Sequence, residues 1–447
     1  MHDLIYKKLV SWLPRAVVVT MTLYPAAIRA EGAETFTLEQ CLARGHERSI
    51  AAANARREQR IAEADIRRIR AQVYPSLDAT AQYSRLDESM AFPGVDLPDN
   101  RNQYYASVTA EQLVYSGGSV RAALRAASSY RRQAEEESNR TDAALTRDIR
   151  RAFYLVLFHE AAVEVSRQSV EQLAKLEAEA RLKFESGALS EFEWLSARVS
   201  LANERPRLME AENQRQLARS ALRNLLYLEH DHWNLSHQWR VAPLDATLEE
   251  FYQAGRENRW ELHQARVNLD ILEADIKVTE GEYLPEVKLF ATYHGSDPSE
   301  NNYGSDGWDW RWTAGVRANW NLFDGGARGS TRMEKLLKRE MAGDSITDLE
   351  RAVMLEIETA YRNLQQALNI LDGASDTIAL AEKALDIARL RFERGLATNL
   401  EFTDRNLELN RARIQYLNGM LTYHLALSDL QYASGSPSDH FETRNIP

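Results

Sequence analysis

The chain has 447 residues, 27% of them charged, and a formal net charge of −11. That acidic balance excludes a surface built for phosphate backbones, so no nucleic-acid partner is expected. The lone cysteine, Cys41, excludes an intrachain disulfide and lacks the small preceding residue of a lipidation site.

The N-terminus fixes the compartment. Lys7, Lys8 and Arg15 accompany a short apolar run, Ala16 to Ala27, which ends at Ile28-Arg29-Ala30. Residues 1–30 therefore read as a secretory signal peptide with a small-residue cleavage site. The run is shorter than the roughly 20 apolar residues a spanning helix needs, and no later segment reaches that length. Without the segment's four basic residues and one acidic residue, the net charge becomes −14.

The remainder is a tandem duplication. Thr37-Leu38-Glu39 recurs as Thr247-Leu248-Glu249, Glu63-Ala64-Asp65-Ile66 as Glu273-Ala274-Asp275-Ile276, and Pro75 as Pro285, all 210 apart. After Tyr83 and Tyr293 the offset falls to 208, matching Gly117-Gly118 to Gly325-Gly326, Gly187 to Gly395 and Glu193 to Glu401. The units are residues 31–227, a link over 228–246, a second copy over 247–434, and a tail, 435–447.

Each copy opens with a helical segment, the first running from Thr37 to Tyr74. The period then switches to two. Leu77, Ala79, Ala81 and Tyr83 alternate with polar residues, as do Tyr104, Ala106, Val108, Ala110 and Val114. In the second copy Val287, Leu289, Ala291 and Tyr293 repeat the pattern, followed by Trp310, Trp312, Ala314, Val316, Ala318 and Trp320. An apolar stripe with aromatic ends is what a lipid-facing β-strand requires, which makes Tyr104, Trp310, Trp312 and Trp320 membrane-facing. A sugar-binding platform of tryptophans explains the spacing less well than an interfacial girdle. The intervening loops, Asp87–Asn102 and Gly295–Asp309, are acidic and turn-rich, as outward-facing loops are.

Between Gly118 and Gly187, and again between Gly326 and Gly395, lie 69-residue intervals without proline. Val353, Ile357, Ala360, Leu364, Ala367 and Leu371 step by four and three, and Leu145, Ile149, Ala152, Val156 and Val163 follow the same track. Each interval predicts one helix of roughly 100 Å. The chain then reverses at the second glycine and returns as helix, from Ala188 to about Tyr227 and from Ala397 to about Tyr432.

Four strands cannot close a barrel, and open edges are not tolerated in lipid. A dimer would supply eight strands and no wide lumen; a trimer supplies twelve. The fold class is an α+β membrane protein: four transmembrane β-strands per chain, a 12-stranded barrel in the trimer, and a long periplasmic α-helical coiled-coil barrel.

The ordered set YPSLDATAQY (74–83), LVYSGG (113–118), LPEVKLFATY (284–293), WNLFDGG (320–326) and RFERGLATNLEFTD (391–404) resembles the TolC-like outer-membrane efflux factors over nearly all of the mature chain. The resemblance implies a homotrimer in the lipid of the outer membrane, a tunnel crossing the periplasm, and a tip opened by a periplasmic adaptor (membrane fusion) protein and an inner-membrane pump of RND or ABC type. By position it implies that Glu401 and Asp404, with Glu193 as the first copy's equivalent, ring the pore constriction. Glu401 and Asp404 are three apart and share a helix face; stacked carboxylate rings would attract cations and invite divalent block.

The tip turns implied to meet the adaptor are Lys183, Ser186, Gly187 and Ala188 in the first copy, and Arg391, Arg394, Gly395 and Leu396 in the second. Where the family's latch has a tyrosine and an arginine, this chain has Phe392 and Ala397, so those latch bonds cannot form.

His230, His232 and His237 gather near Asp231 in the link, yet no fourth ligand stands at a recognisable spacing, and no metal is assigned. The chain also lacks a Gly-rich phosphate loop, a nucleophile elbow and a paired-histidine zinc motif. Neither an enzyme nor a cofactor is expected. A type I protein-secretion duct would use the same architecture. A soluble periplasmic coiled-coil scaffold or adaptor would share the hairpins but not the tryptophan-bearing strands.

Overall fold

Two consecutive glycines set each long helix on its course. Gly117, Gly118, Gly325 and Gly326 all take left-handed backbone angles, φ 63°, 87°, 69° and 88°, which cost glycine nothing and other residues about 1 kcal/mol or more. A Cβ at Gly117 would also lie 2.2 Å from the carbonyl of Gly281. Strand thus passes into helix within two residues, in both copies.

The computed structural model describes residues 34–88, 101–237, 239–244, 246–297 and 307–435. In chain order the elements are β1 (Glu34–Phe36), α1 (Leu38–Arg48), α2 (Ile50–Ala71), β2 (Ser76–Arg85), β3 (Asn102–Ser116), α3 (Ser119–Glu185) and α4 (Glu191–Leu225). The link holds β4 (Trp233–Leu235), and the second copy gives α5 (Leu248–Asn258), α6 (Trp260–Gly281), β5 (Glu286–Asp297), β6 (Asp309–Asn319), α7 (Ala327–Glu393) and α8 (Asn399–Ala433). Helices of 11, 22, 67 and 35 residues occur in the same order in each copy, so the duplication extends to element lengths. The signal segment, most of the two acidic loops and nearly all of the tail lie outside the described residues.

The predicted long helices form with the predicted core. Val353, Ile357, Ala360, Leu364, Ala367 and Leu371 are all buried on α7, as are Ile149, Ala152, Val156 and Val163 on α3. α2 and α4 pack in succession along α3, and α6 and α8 fill the space between α3 and α7. The chain is therefore a slab four helices wide, α2/α4, α3, α6/α8, α7, with the outer flanks of α2/α4 and α7 left open. Pro206 stands inside α4 on an exposed face; lacking an N–H, it removes one bond of the ladder.

One expectation needs correction. The segment from Thr37 to Tyr74 is two helices, broken at Ser49, whose side chain caps α2 by accepting from the Ala52 amide. The matching break in the second copy falls at Arg259, which is buried and holds the joint differently. Its guanidinium pairs with Glu356 (2.6 Å) and Glu261 (2.8 Å) and donates to the carbonyl of Tyr432 (2.6 Å). The short helix before each break leans on its long helix through a glycine: a Cβ at Gly45 would meet Ile149 at 2.2 Å, and one at Gly255 would meet Ile357 at 2.4 Å.

Two sheets complete the chain. β1 and β4 form a short parallel pair, which the sequence pattern did not reveal, and it ties the start of the first copy to the link. β2, β3, β5 and β6 form an antiparallel sheet in the order β2-β3-β5-β6, so β2 and β6 are its edges.

Candidate functional site

The sheet register sorts the strand residues onto two faces, because directly opposed residues share a face. Tyr83 opposes Tyr104, Val108 opposes Tyr293, Tyr293 opposes Trp312 and Leu289 opposes Val316. All four predicted stripes thus merge into one apolar face. Trp310 lies over Gly295, where a Cβ would sit 2.7 Å from its indole ring, and stacks on Tyr293 at 5.1 Å. Trp312 is 77% exposed and Trp320 59%, so the face presents a contiguous aromatic, apolar patch of the kind that marks an interaction surface.

The opposite face carries Thr80, Ser107, Thr109, Thr292, His294, Arg311, Thr313 and Arg317. Thr109 and Thr292 hydrogen-bond across the sheet (3.1 Å), and Arg317 pairs with Glu111 (3.2 Å). A bulge between Leu113 and Tyr115 brings Tyr115, not the expected Val114, opposite Val287. An extra residue in one strand reverses the alternation, and no residue pattern marked it.

At the far end of the slab the two helical hairpins turn alike. After α3 the Ala188 amide donates to the Lys183 carbonyl (2.8 Å) and the Gly187 amide to the Phe184 carbonyl (2.9 Å). After α7 the Leu396 amide donates to the Arg391 carbonyl (2.8 Å) and the Gly395 amide to the Phe392 carbonyl (3.0 Å). This is the Schellman closure, which needs a left-handed residue just past the helix; Gly187 and Gly395 supply it at φ 78° and 72°. Ser186 donates its hydroxyl proton to the Lys183 carbonyl (2.9 Å), and Arg394 occupies the matching cap position of α7.

Lys183, Arg391, Glu193 and Glu401 have partners within the chain. Lys183 reaches across to the second hairpin, donating to the Phe392 carbonyl (3.1 Å) with its ammonium 4.3 Å from the Phe392 ring centroid. Arg391 pairs with Glu401 (3.1 Å) and donates to the Leu396 carbonyl (3.3 Å). Glu193 closes a capping box with Ser190 at the start of α4. Glu401, its equivalent, is 35% exposed and is drawn to Arg391, so the two copies use one position differently. Asp404 is exposed one turn further along α8.

Phe392 is a core residue, 3% exposed, within a cluster that includes Ala180, Ala197, Leu385 and Phe402, with Ala397 packed against it. Three contacts that the sequence did not signal join the hairpins here. Asn399 donates to the Glu193 carbonyl (2.6 Å), Asn406 to the Ser169 hydroxyl (3.1 Å), and Arg413 to Gln168 (2.8 Å). Partners more than 200 residues apart leave no local trace.

The link histidines do not converge. His230 and His232 lie with ring centroids 6.4 Å apart, while His237 turns away into an aromatic cluster with Phe153, Tyr154 and Trp239. Among the described residues no group of three or more histidine, cysteine or acidic side chains is placed to hold a metal, and no helix is long and apolar enough to cross a membrane.

Comparison with known proteins agrees with this geometry. The model of the outer membrane efflux protein family matches residues 41–226 and 251–436, one match per copy. Outer membrane protein OprJ of Pseudomonas aeruginosa is 26% identical over 194 residues, a stretch spanning 41% of this chain and 38% of OprJ. Among solved structures, the outer membrane protein VceC of Vibrio cholerae superposes with a TM-score of 0.74 at 18% identity, covering 89% of this chain and 96% of VceC. The Campylobacter jejuni CmeC outer membrane channel gives 0.78 at 16% identity, covering 89% and 85%. With both copies matched and the fold shared along its length, the chain belongs to the outer membrane efflux protein family.

Proposed function

We propose that three copies of this chain assemble into a continuous exit duct for small molecules, a barrel through the outer membrane joined to a helical tunnel in the periplasm. The observation that carries this is the four-stranded sheet with an apolar, aromatic-rich face and two unpaired edges, β2 and β6. Pairing β6 of one copy with β2 of the next satisfies both edges and closes the barrel at twelve strands. Eleven residues of β6, at about 3.3 Å each and tilted by about 40°, rise roughly 27 Å, close to the height of an outer-membrane apolar band.

The helices support the same count. Four columns per copy give twelve around the tube, and at interaxial spacings of about 9–10 Å the ring is some 35–38 Å across between axes. Subtracting one helix diameter leaves a bore of about 25 Å, against about 14 Å for two copies. Exposed Phe192, Val199, Met209 and Leu217 on α4, and Leu355, Leu380 and Ile387 on α7, supply apolar flanks for neighbouring copies.

In this reading the hairpin tips meet a periplasmic adaptor, which couples the duct to an inner-membrane pump of RND or ABC type. Glu401, Asp404 and Glu193 then line the narrow end. The test of assembly is the mass of the detergent-extracted protein by light scattering. Three chains per particle is the expected result; one chain in a soluble particle would favour the coiled-coil scaffold.

A further inference from the structure

An aromatic box lies where the link between the two copies crosses the long helices, away from the lumenal sheet face and the tips. His237 and Trp239 come from the link, Phe153 and Tyr154 from α3, and Tyr423 and His424 from α8. The His424 imidazole stacks on Tyr154 at 4.1 Å with 15° between planes, 5.4 Å from Trp239 and 5.9 Å from His237. His237 is edge-on to both Phe153 and Tyr154. Beside them the Tyr423 hydroxyl hydrogen-bonds the amide and carbonyl of Ala242, each at 3.1 Å. These contacts fasten the link to both copies.

The two imidazoles are placed as neutral rings. His424 is 7% exposed, and the Nε2 atoms of His424 and His237 are buried without a hydrogen-bond partner. No carboxylate among the described residues hydrogen-bonds or ion-pairs with either ring. The charged groups nearby are Glu39 from the first copy's short helix, which favours the His237 cation, and Arg240 of the link, which opposes it; Arg150 of α3 acts on Tyr154. A proton on His424 would be an unpaired charge among rings and would face any second charge on His237.

We propose that His237 and His424 form an acid-sensitive clasp, closed when both rings are neutral and opened, with release of the link from α3 and α8, when they take up protons. Burial pushes His424 down to about 3, and it lowers His237 in the same direction. The released link leaves both rings near their ordinary value of about 6.5, so the open form binds more protons. The clasp is therefore fully closed above that value and is weakened progressively as pH falls. For His424 alone the open-to-closed ratio rises about 30-fold by pH 5.

Hydrogen exchange of the detergent-solubilised full chain at pH 7.5 and pH 5, corrected for intrinsic rates, tests this. Link peptides between residues 229 and 244 should lose protection at the lower pH in the natural chain. His424→Phe, which keeps the ring and removes the titration, should abolish most of that response. An unchanged response in His424→Phe, or none in the natural chain, would overturn the proposal. If His424→Phe does not fold, His237→Phe serves, with a reduced pH response expected and an unaltered one contradictory.

Discussion

Phe392 shows how one side chain takes up a task the sequence left open. Its ring is buried in the core near the tips and lies beneath the Lys183 ammonium. Phe392→Ala removes a large buried ring and should cost about 3–5 kcal/mol, read as lost exchange protection in residues 380–409. The exposed Arg391–Glu401 pair is a different case. Both partners are more than a third exposed, so Arg391→Ala should change stability by less than about 1 kcal/mol. Cys41 is fully buried, and burial pushes its thiol up to about 12. Thiolate is the reactive form, so a thiol reagent at pH 8 should leave the folded protein unlabelled and react only after denaturation. None of these three environments is written beside the residue concerned: each depends on partners from distant elements. The positions of Glu401 and Gly395 were legible; the ion pair and the Lys183–Phe392 contact were not.

At the scale of elements the sequence is more informative, because its signals are periodic and doubled. The strands, the 67-residue helices and the glycine turns all stand where period and spacing put them. What escaped were interruptions worked by single residues. Ser49 and Arg259 break helices whose apolar period runs on across the joint, and the bulge before Tyr115 shifts a strand by one residue. Glycine positions now separate into two kinds with different expected costs. Gly187 and Gly395 have no neighbour within 4 Å of a built Cβ, so Gly187→Ala should cost only the backbone strain of about 1 kcal/mol. Gly255→Ala would overpack Ile357 and should cost about 1–3 kcal/mol, measurable by thermal unfolding. The open flanks predict a further result: in the proposed three-copy assembly Leu380→Asp would place a carboxylate between copies and should shift the detergent-extracted particle from three chains towards one.

The whole molecule follows from the duplication. Each copy supplies two strands of the four-stranded sheet and four helical segments, and neither copy can satisfy its own edges. β3 of the first copy pairs with β5 of the second, which makes one sheet of two halves with β2 and β6 left as its edges. In the proposed duct the number of helices fixes the wide bore and the tips form the narrow end, where Glu401 and Asp404 would set the charge. The most direct test is single-channel recording of the purified protein in a planar bilayer, on the natural chain and on the double variant Glu401→Ala, Asp404→Ala. Small, cation-selective openings sensitive to divalent ions are expected, with larger conductance and weaker cation preference in the double variant. A protein that inserts nowhere and conducts nothing would contradict the duct, and a double variant indistinguishable from the natural chain would remove those carboxylates from the constriction.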